Sequence, residues 1–269
     1  MNLQPGADAH VDERDVALHR RAREWRPGLT RAVVLGLVKV LVRVLFAPEV
    51  LGAERVPKEG AVLLVANHRS LSDGLFQASA CPRPLRWMGM GELFRSPVRA
   101  RFMLALGAFP VRRGAGDAQA IETARELLEQ RQAVAIYPEG KLQYRSREPV
   151  GEPHSGAGRL ALEADAQLLP MAMVGTDRLR AASLLRGRHR IRISFGEVIA
   201  VSEPARASFL AGDRRAAKLL ITDRVWPEVR AQVQSLRERP AAAAVGGGGS
   251  LMVLAGMLLL QRRRRSRRR

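Results

Sequence analysis

AVLLVANHRSLSD, residues 61–73, is the stretch whose reading decides the fold. Six apolar residues bounded by polar ones suit a strand buried on both faces of a sheet. Asn67 and His68 follow at the strand's end, and Ser70, Ser72 and Asp73 then supply the residue types that start helices. A second apolar run of the same kind, AVAIY (133–137), ends in Pro138-Glu139-Gly140. DAQAIETARELLEQR (117–131) places Ile121, Ala124, Leu127 and Leu128 on one helical stripe behind Asp117. Further helices are expected over 156–166 and 208–236, the latter disturbed at Pro227. RIRISF (190–195) alternates and predicts a strand with one wet face; LLPMAMVG (168–175) is an apolar run broken by Pro170. Short apolar runs alternating with amphipathic stretches predict an α/β domain over residues 50–236, its central sheet flanked by helices.

The 269 residues hold 46% hydrophobic content, enough for a sizeable core and too much for a disordered chain. One cysteine, Cys81, rules out an intramolecular disulfide framework and a multi-cysteine zinc site. Forty-five Lys and Arg against 26 Asp and Glu give a net charge of +19, which points to nucleic acid, a membrane surface or a phosphorylated substrate. Seven of those charges sit in the final RRRRSRRR, leaving +12 on the body. Only four of the cations are Lys, so an even spread of Arg is equally compatible with coding bias.

Residues 1–28 are polar, lack the apolar core of a secretory signal and are expected to form a mobile arm. The next segment, 29–49, opens with LTRAVVLGLVKVLVRVLFA, whose Arg31, Lys39 and Arg43 fall within an arc of about 120° on a helix. Such a helix suits a membrane interface, its cations reaching toward phosphates; a core helix is the alternative, and two internal charges disfavour a span. Residues 237–269 form an Ala/Gly-rich, hydrophobic and then Arg-rich tail. Its apolar part, 251–260, is about 15 Å long as a helix, half of a hydrocarbon core of about 30 Å. A membrane-inserted anchor, a peripheral cationic tail and a disordered extension all remain compatible with this composition.

Asp73 lies five positions after His68, so a bend into a helix start brings its carboxylate to one ring nitrogen. The pairing fixes the tautomer and raises the basicity of the other nitrogen, as a general base requires. Ser70, Ser72 and Asp73 serving only as a helix cap is the plainer alternative. GAFPVRRG (107–114), read as the end of an apolar helix, puts Arg112 and Arg113 beside a glycine turn, suited to a phosphate.

In this order NHRSLSD, GAFPVRR, YPEG and LLPMAM resemble the four sequence blocks of the glycerolipid acyltransferase family, most closely its lysophosphatidate acyltransferase branch. The resemblance covers residues 50–200. It implies that His68 and Asp73 are the catalytic pair, that Arg113 binds the acceptor phosphate, and that Asn67, Glu139, Gly140 and Lys141 belong to the substrate-binding blocks. Glu139 would orient cations or a glycerol hydroxyl. The implied reaction passes an acyl group from acyl-CoA or acyl carrier protein, with no further cofactor or metal, to the free hydroxyl of a lysophospholipid. Backbone amides after His68 are candidate oxyanion donors. The family usually continues its third block with Thr or Ser and then Arg, whereas this chain has Lys141 and Leu142. A second acceptor-binding cation, besides Arg113, is then expected at Lys141, Arg145 or Arg147, and His154 falls on the surface. Glycerol 3-phosphate and other lysolipids stay open as acceptors. A covalent route through Ser70 or Ser72 and a nonenzymatic basic lipid- or nucleic-acid-binding protein are the competing classes; few aromatics for stacking count against nucleic acid. The expected location is the cytoplasmic face of a bacterial membrane, peripheral or with a C-terminal anchor.

Overall fold

The computed structural model describes residues 13–24, 28–112, 117–143, 148–178 and 190–240. Arg113, Arg145, Arg147 and the tail from 241 onward, all singled out in the sequence, lie outside them. Seven strands make one sheet: β1 (Glu49–Leu51), β2 (Val62–Ala66), β3 (Leu85–Met90), β4 (Ala108–Val111), β5 (Ala133–Ile136), β6 (Gln167–Val174) and β7 (Arg192–Phe195). Their order is β1-β7-β6-β2-β5-β3-β4. Strands β2 to β6 run parallel, while β7 is antiparallel to β6 and carries β1 parallel to itself. The sheet is therefore mixed, and the α/β class expected from the sequence holds.

The helices among the described residues are α1 (Glu13–Arg23), α2 (Leu29–Phe46), α3 (Asp73–Ala80), α4 (Pro97–Ala105), α5 (Ala118–Glu129), α6 (Gly156–Glu163), α7 (Glu203–Leu210), α8 (Arg214–Leu219) and α9 (Trp226–Glu238). Side chains alternate across the sheet. Leu63 and Val65 of β2 join Ala124, Leu127, Leu160 and Val229 in a core under α5, α6 and α9. Val62, Leu64 and Ala66 face the other way, onto Val42 of α2 and Phe76 of α3. Every residue of β2 and β5 is buried, which explains their uninterrupted apolar spelling.

Several sequence-based expectations need correction. Residues 13–23, expected within a mobile arm, form α1, which buries Leu18, His19 and Ala22. Its short apolar stripe is held by polar ties: His19 Nδ1 lies 3.0 Å from Thr123 Oγ1, and Arg23 pairs with Glu126 at 3.0 Å. The buried Arg86 donates to the carbonyl of Ala22 at 2.7 Å. The folded unit thus extends beyond 50–236 at both ends, since Arg192 also donates to the carbonyl of Pro240 at 2.9 Å.

GAFPVRRG is partly a strand, β4, and β6 runs unbroken through Pro170, whose carbonyl accepts the Gly196 N–H at 2.8 Å. The expected alternation over 190–195 holds in part: Ile191, Ile193 and Phe195 are buried, Arg190 is exposed and Ser194 half-buried, while the end of α9 covers Arg192. The helical stretch predicted over 208–236 is divided between α7, α8, a π-helical turn at Leu220–Val225 and α9, with Pro227 in the first turn of α9. Proline is tolerated there because a first-turn N–H has no helical acceptor.

Helix α2 spans nearly the expected residues, but Lys39 does not point outward: its ammonium donates to the Cys81 carbonyl at the end of α3, at 3.0 Å. Leu37, Val40 and Leu41 are exposed. No helix among the described residues is long and apolar enough to cross a membrane.

Candidate active site

Strand β2 delivers Asn67 and His68 to the carboxyl edge of the sheet, where sites in α/β folds collect. Asn67 is fully buried; it donates to the Met173 carbonyl at 3.0 Å and accepts the Met173 N–H at 2.8 Å. Its amide ties β2 to β6 and is committed on both sides. The expectation that it binds substrate is therefore corrected to a structural clamp.

The His68 backbone is held from two directions. Its N–H donates to Glu139 Oε1 at 3.0 Å, and its carbonyl accepts the Gln143 N–H at 2.8 Å. Glu139, 1% exposed, takes the Gly151 N–H on Oε2 at 3.1 Å. This carboxylate joins the loop after β2 to the loop before α6, rather than orienting a cation or a glycerol hydroxyl. Burial pushes its pKa up, and the two backbone donors and the nearby His68 and Arg69 offset part of that rise.

Asp73 opens α3 and is completely buried. Its Oδ2 lies 3.0 Å from His68 Nδ1 and also accepts the N–H groups of Arg69 and Ser70 at 2.7 and 2.8 Å. The capping role and the pairing with His68 are both present, so the two alternatives posed by the sequence are not exclusive. Three donors on one oxygen fix the carboxylate, which fixes the imidazole. Nε2 is left without a hydrogen bond among the described residues. Ser70 Oγ sits 2.8 Å from Ser72 Oγ and has no described contact with His68, which removes the geometric basis for a serine nucleophile.

Tyr137 is a site residue that motif reading passed over. Its ring stacks on His68, with centroids 4.0 Å apart and planes 10° from parallel, and its hydroxyl donates to Gln77 Oε1 at 3.0 Å. Burial, with a contribution from Asp73, holds the phenol well above its usual pKa. The signal lay in strand register: Val65 pairs with Ile136, so the residues just past each strand end are neighbours.

His68 lines a cavity of about 310 Å³ whose walls are chiefly apolar, among them Leu71, Trp87, Met88, Met90 and Ile136. Gly74 makes room for Trp87, since a Cβ there would lie 3.1 Å from the indole ring. Arg112 and Gly140 stand at the rim. Gly140 has a φ of 64°, which glycine adopts without strain, so the turn after Glu139 can fold sharply past the cavity. Lys141 is exposed and outside the cavity lining, while His154 is exposed as expected.

The His68–Asp73 pair thus stands at the carboxyl edge of a mixed sheet, in the wall of a chiefly apolar cavity. Residues 47–174 match the family model described as Acyltransferase. An uncharacterized protein of Mycobacterium tuberculosis is 29% identical over 167 residues, 57% of this chain and 44% of that protein. A 1-acyl-sn-glycerol-3-phosphate acyltransferase of Streptococcus pneumoniae is 27% identical over 153 residues, 56% of this chain and 54% of that enzyme. The chain thus spans about half the length of these curated relatives. The crystal structure of the 1-acyl-sn-glycerophosphate (LPA) acyltransferase PlsC from Thermotoga maritima shares the fold, with a TM-score of 0.54 at 18% identity, over 86% of this chain and 91% of that one.

Proposed function

We propose that this protein transfers a fatty acyl group from an acyl thioester to the free hydroxyl of a lysophospholipid, 1-acyl-glycerol 3-phosphate being the first candidate and phosphatidic acid the product. The observation that carries this reading is the His68–Asp73 pair at the wall of the apolar cavity. His68 Nε2 takes the hydroxyl proton as the oxygen attacks the thioester carbonyl carbon. The tetrahedral adduct then collapses, the C–S bond breaks, and the imidazolium returns its proton to the departing thiolate. Asp73 stabilises the cationic ring in between, in the manner of hydrolase triads. Stacked Tyr137 restricts the ring's rotation, and the apolar walls suit an acyl chain. Arg113, which follows Arg112 in the chain, is the proposed clamp for the acceptor phosphate.

Substrate and product are both amphiphiles, and the surface offers a matching face. Leu29, Val33, Leu37, Val40, Leu41 and Val44 of α2 are exposed, as is Leu71 at the cavity. We assign this face to the membrane interface on the cytoplasmic side, where anionic lipid would attract the chain's basic surface.

An acceptor panel presented with palmitoyl-CoA tests the assignment. The expected result is phosphatidic acid formed from 1-acyl-glycerol 3-phosphate in preference to glycerol 3-phosphate and zwitterionic lysolipids. Preferential acylation of glycerol 3-phosphate would reassign the acceptor, and acylation of none of them would refute the reading.

A further inference from the structure

On the other flank of the His68 loop lies a second cavity, of about 590 Å³, that the reaction above does not use. It is bounded by the end of β6, the start of β7 and the end of α9, and Asn67 and Arg69, the two neighbours of His68, contribute to its lining. Its charged lining is five arginines, at 69, 190, 192, 237 and 239, against the single aspartate Asp177.

Three of these cations are fixed in place. Arg69 donates to the Glu148 carbonyl at 2.9 Å and pairs with Asp177 at 3.1 Å. Arg192, 8% exposed, spreads its guanidinium over Glu49 at 3.2 Å and the carbonyls of Leu236 and Pro240 at 2.6 and 2.9 Å. Arg239 takes the other oxygen of the same Glu49 at 2.7 Å. Two cations thus share one carboxylate, and carbonyl dipoles supply the rest of the solvation for a buried charge. Arg190 and Arg237 have no ion pair or hydrogen bond among the described residues. A wall of immobilised arginines carrying two open guanidinium groups is complementary to a ligand with several phosphates, which guanidinium groups bind bidentately.

We propose that this cleft binds the phosphates of coenzyme A, the diphosphate and the 3′-phosphate of the acyl donor. The inference rests on the acyl-transfer reading above. Two phosphorylated substrates must meet at His68, and the loop that bears it separates the two cavities. The acceptor carries one phosphate, for which Arg112 lies on the β4 side. The donor carries three, and the five-arginine cleft lies on the β6 side, with Asn67 and Arg69, the two chain neighbours of His68, in its lining.

The test uses the full chain and the double variant R190A/R237A, whose altered side chains are exposed and hold no described contact. Calorimetry with coenzyme A alone should show binding to wild type weakened about tenfold or more by the double change. Arg230→Ala, on α9 but outside the cleft, should match wild type. In turnover with 1-acyl-glycerol 3-phosphate, the wild-type preference for palmitoyl-CoA over palmitoyl-pantetheine should collapse in R190A/R237A, with palmitoyl-3′-dephospho-CoA intermediate. The KM for the acceptor should stay within about twofold, since its phosphate is held elsewhere. The proposal is overturned if coenzyme A affinity is unchanged, or if the acceptor KM rises instead. Equal losses with palmitoyl-pantetheine, or an effect confined to acyl carrier protein as donor, would overturn it as well. Should wild type transfer no acyl group, the acyl-transfer reading fails, while calorimetry still decides whether the cleft holds coenzyme A.

Discussion

Glu139 is a buried carboxylate whose two oxygens accept backbone N–H groups from residues 68 and 151, 83 positions apart in the chain. An amide in its place presents an NH2 group to one of those donors and leaves it unsatisfied. Glu139→Gln should therefore cost about 1–3 kcal/mol of stability and lower kcat with little change in either KM, as chemical denaturation and steady-state kinetics would register. An unchanged kcat would mean that the His68 backbone needs no such anchor. Residue by residue, the sequence disclosed partners that lie close together. His68 and Asp73 are five apart on one loop, and their 3.0 Å contact could be anticipated. The partners of Asn67 and Glu139 are set by which strand ends adjoin, and that order is a property of the folded sheet. Tyr137 lay between the two, recoverable once β2 and β5 were aligned.

Among the elements, strands with both faces covered and the amphipathic α5 were legible because burial dictates their spelling. Helix α1 was not, since only three of its eleven residues are buried and its hold on the domain is mostly polar. That hold has a pH dependence. Burial, with Arg23 and Arg112 adding to it and Asp117 opposing, lowers the pKa of His19 from 6.5 to about 4. Between those values the unfolded chain binds the proton and the folded chain does not, so stability is complete above the unfolded pKa and declines as pH falls through the window. The loss reaches about 3 kcal/mol by the lower end. Denaturation midpoints measured from neutral pH down to that of the folded His19 should show this decline in wild type and a shallower one in His19→Gln. Equal slopes would place the acid sensitivity elsewhere. The division of the final helical stretch was also hidden: Asp213 caps α8 by accepting the Arg215 N–H at 2.9 Å, and a cap of that kind ends one helix and starts another without any proline.

At the scale of the molecule, three arrangements converge on the His68 loop: an apolar cavity on the β3–β4 side, an arginine cleft on the β6–β7 side, and an exposed apolar helix, α2, packed on α3. The net charge of +19 suggested an anionic partner without placing it, and the fold distributes part of that charge to the cleft. Charge counts carry no address, because residues 69, 192 and 239 become neighbours only through the sheet order and the last helix. The central claim is that His68, held by Asp73, is the base for acyl transfer. It is tested most directly by the turnover number of His68→Ala on palmitoyl-CoA and 1-acyl-glycerol 3-phosphate, with folding verified by circular dichroism. The account predicts a loss of about 10²-fold or more relative to wild type; turnover within a few-fold of wild type would contradict it.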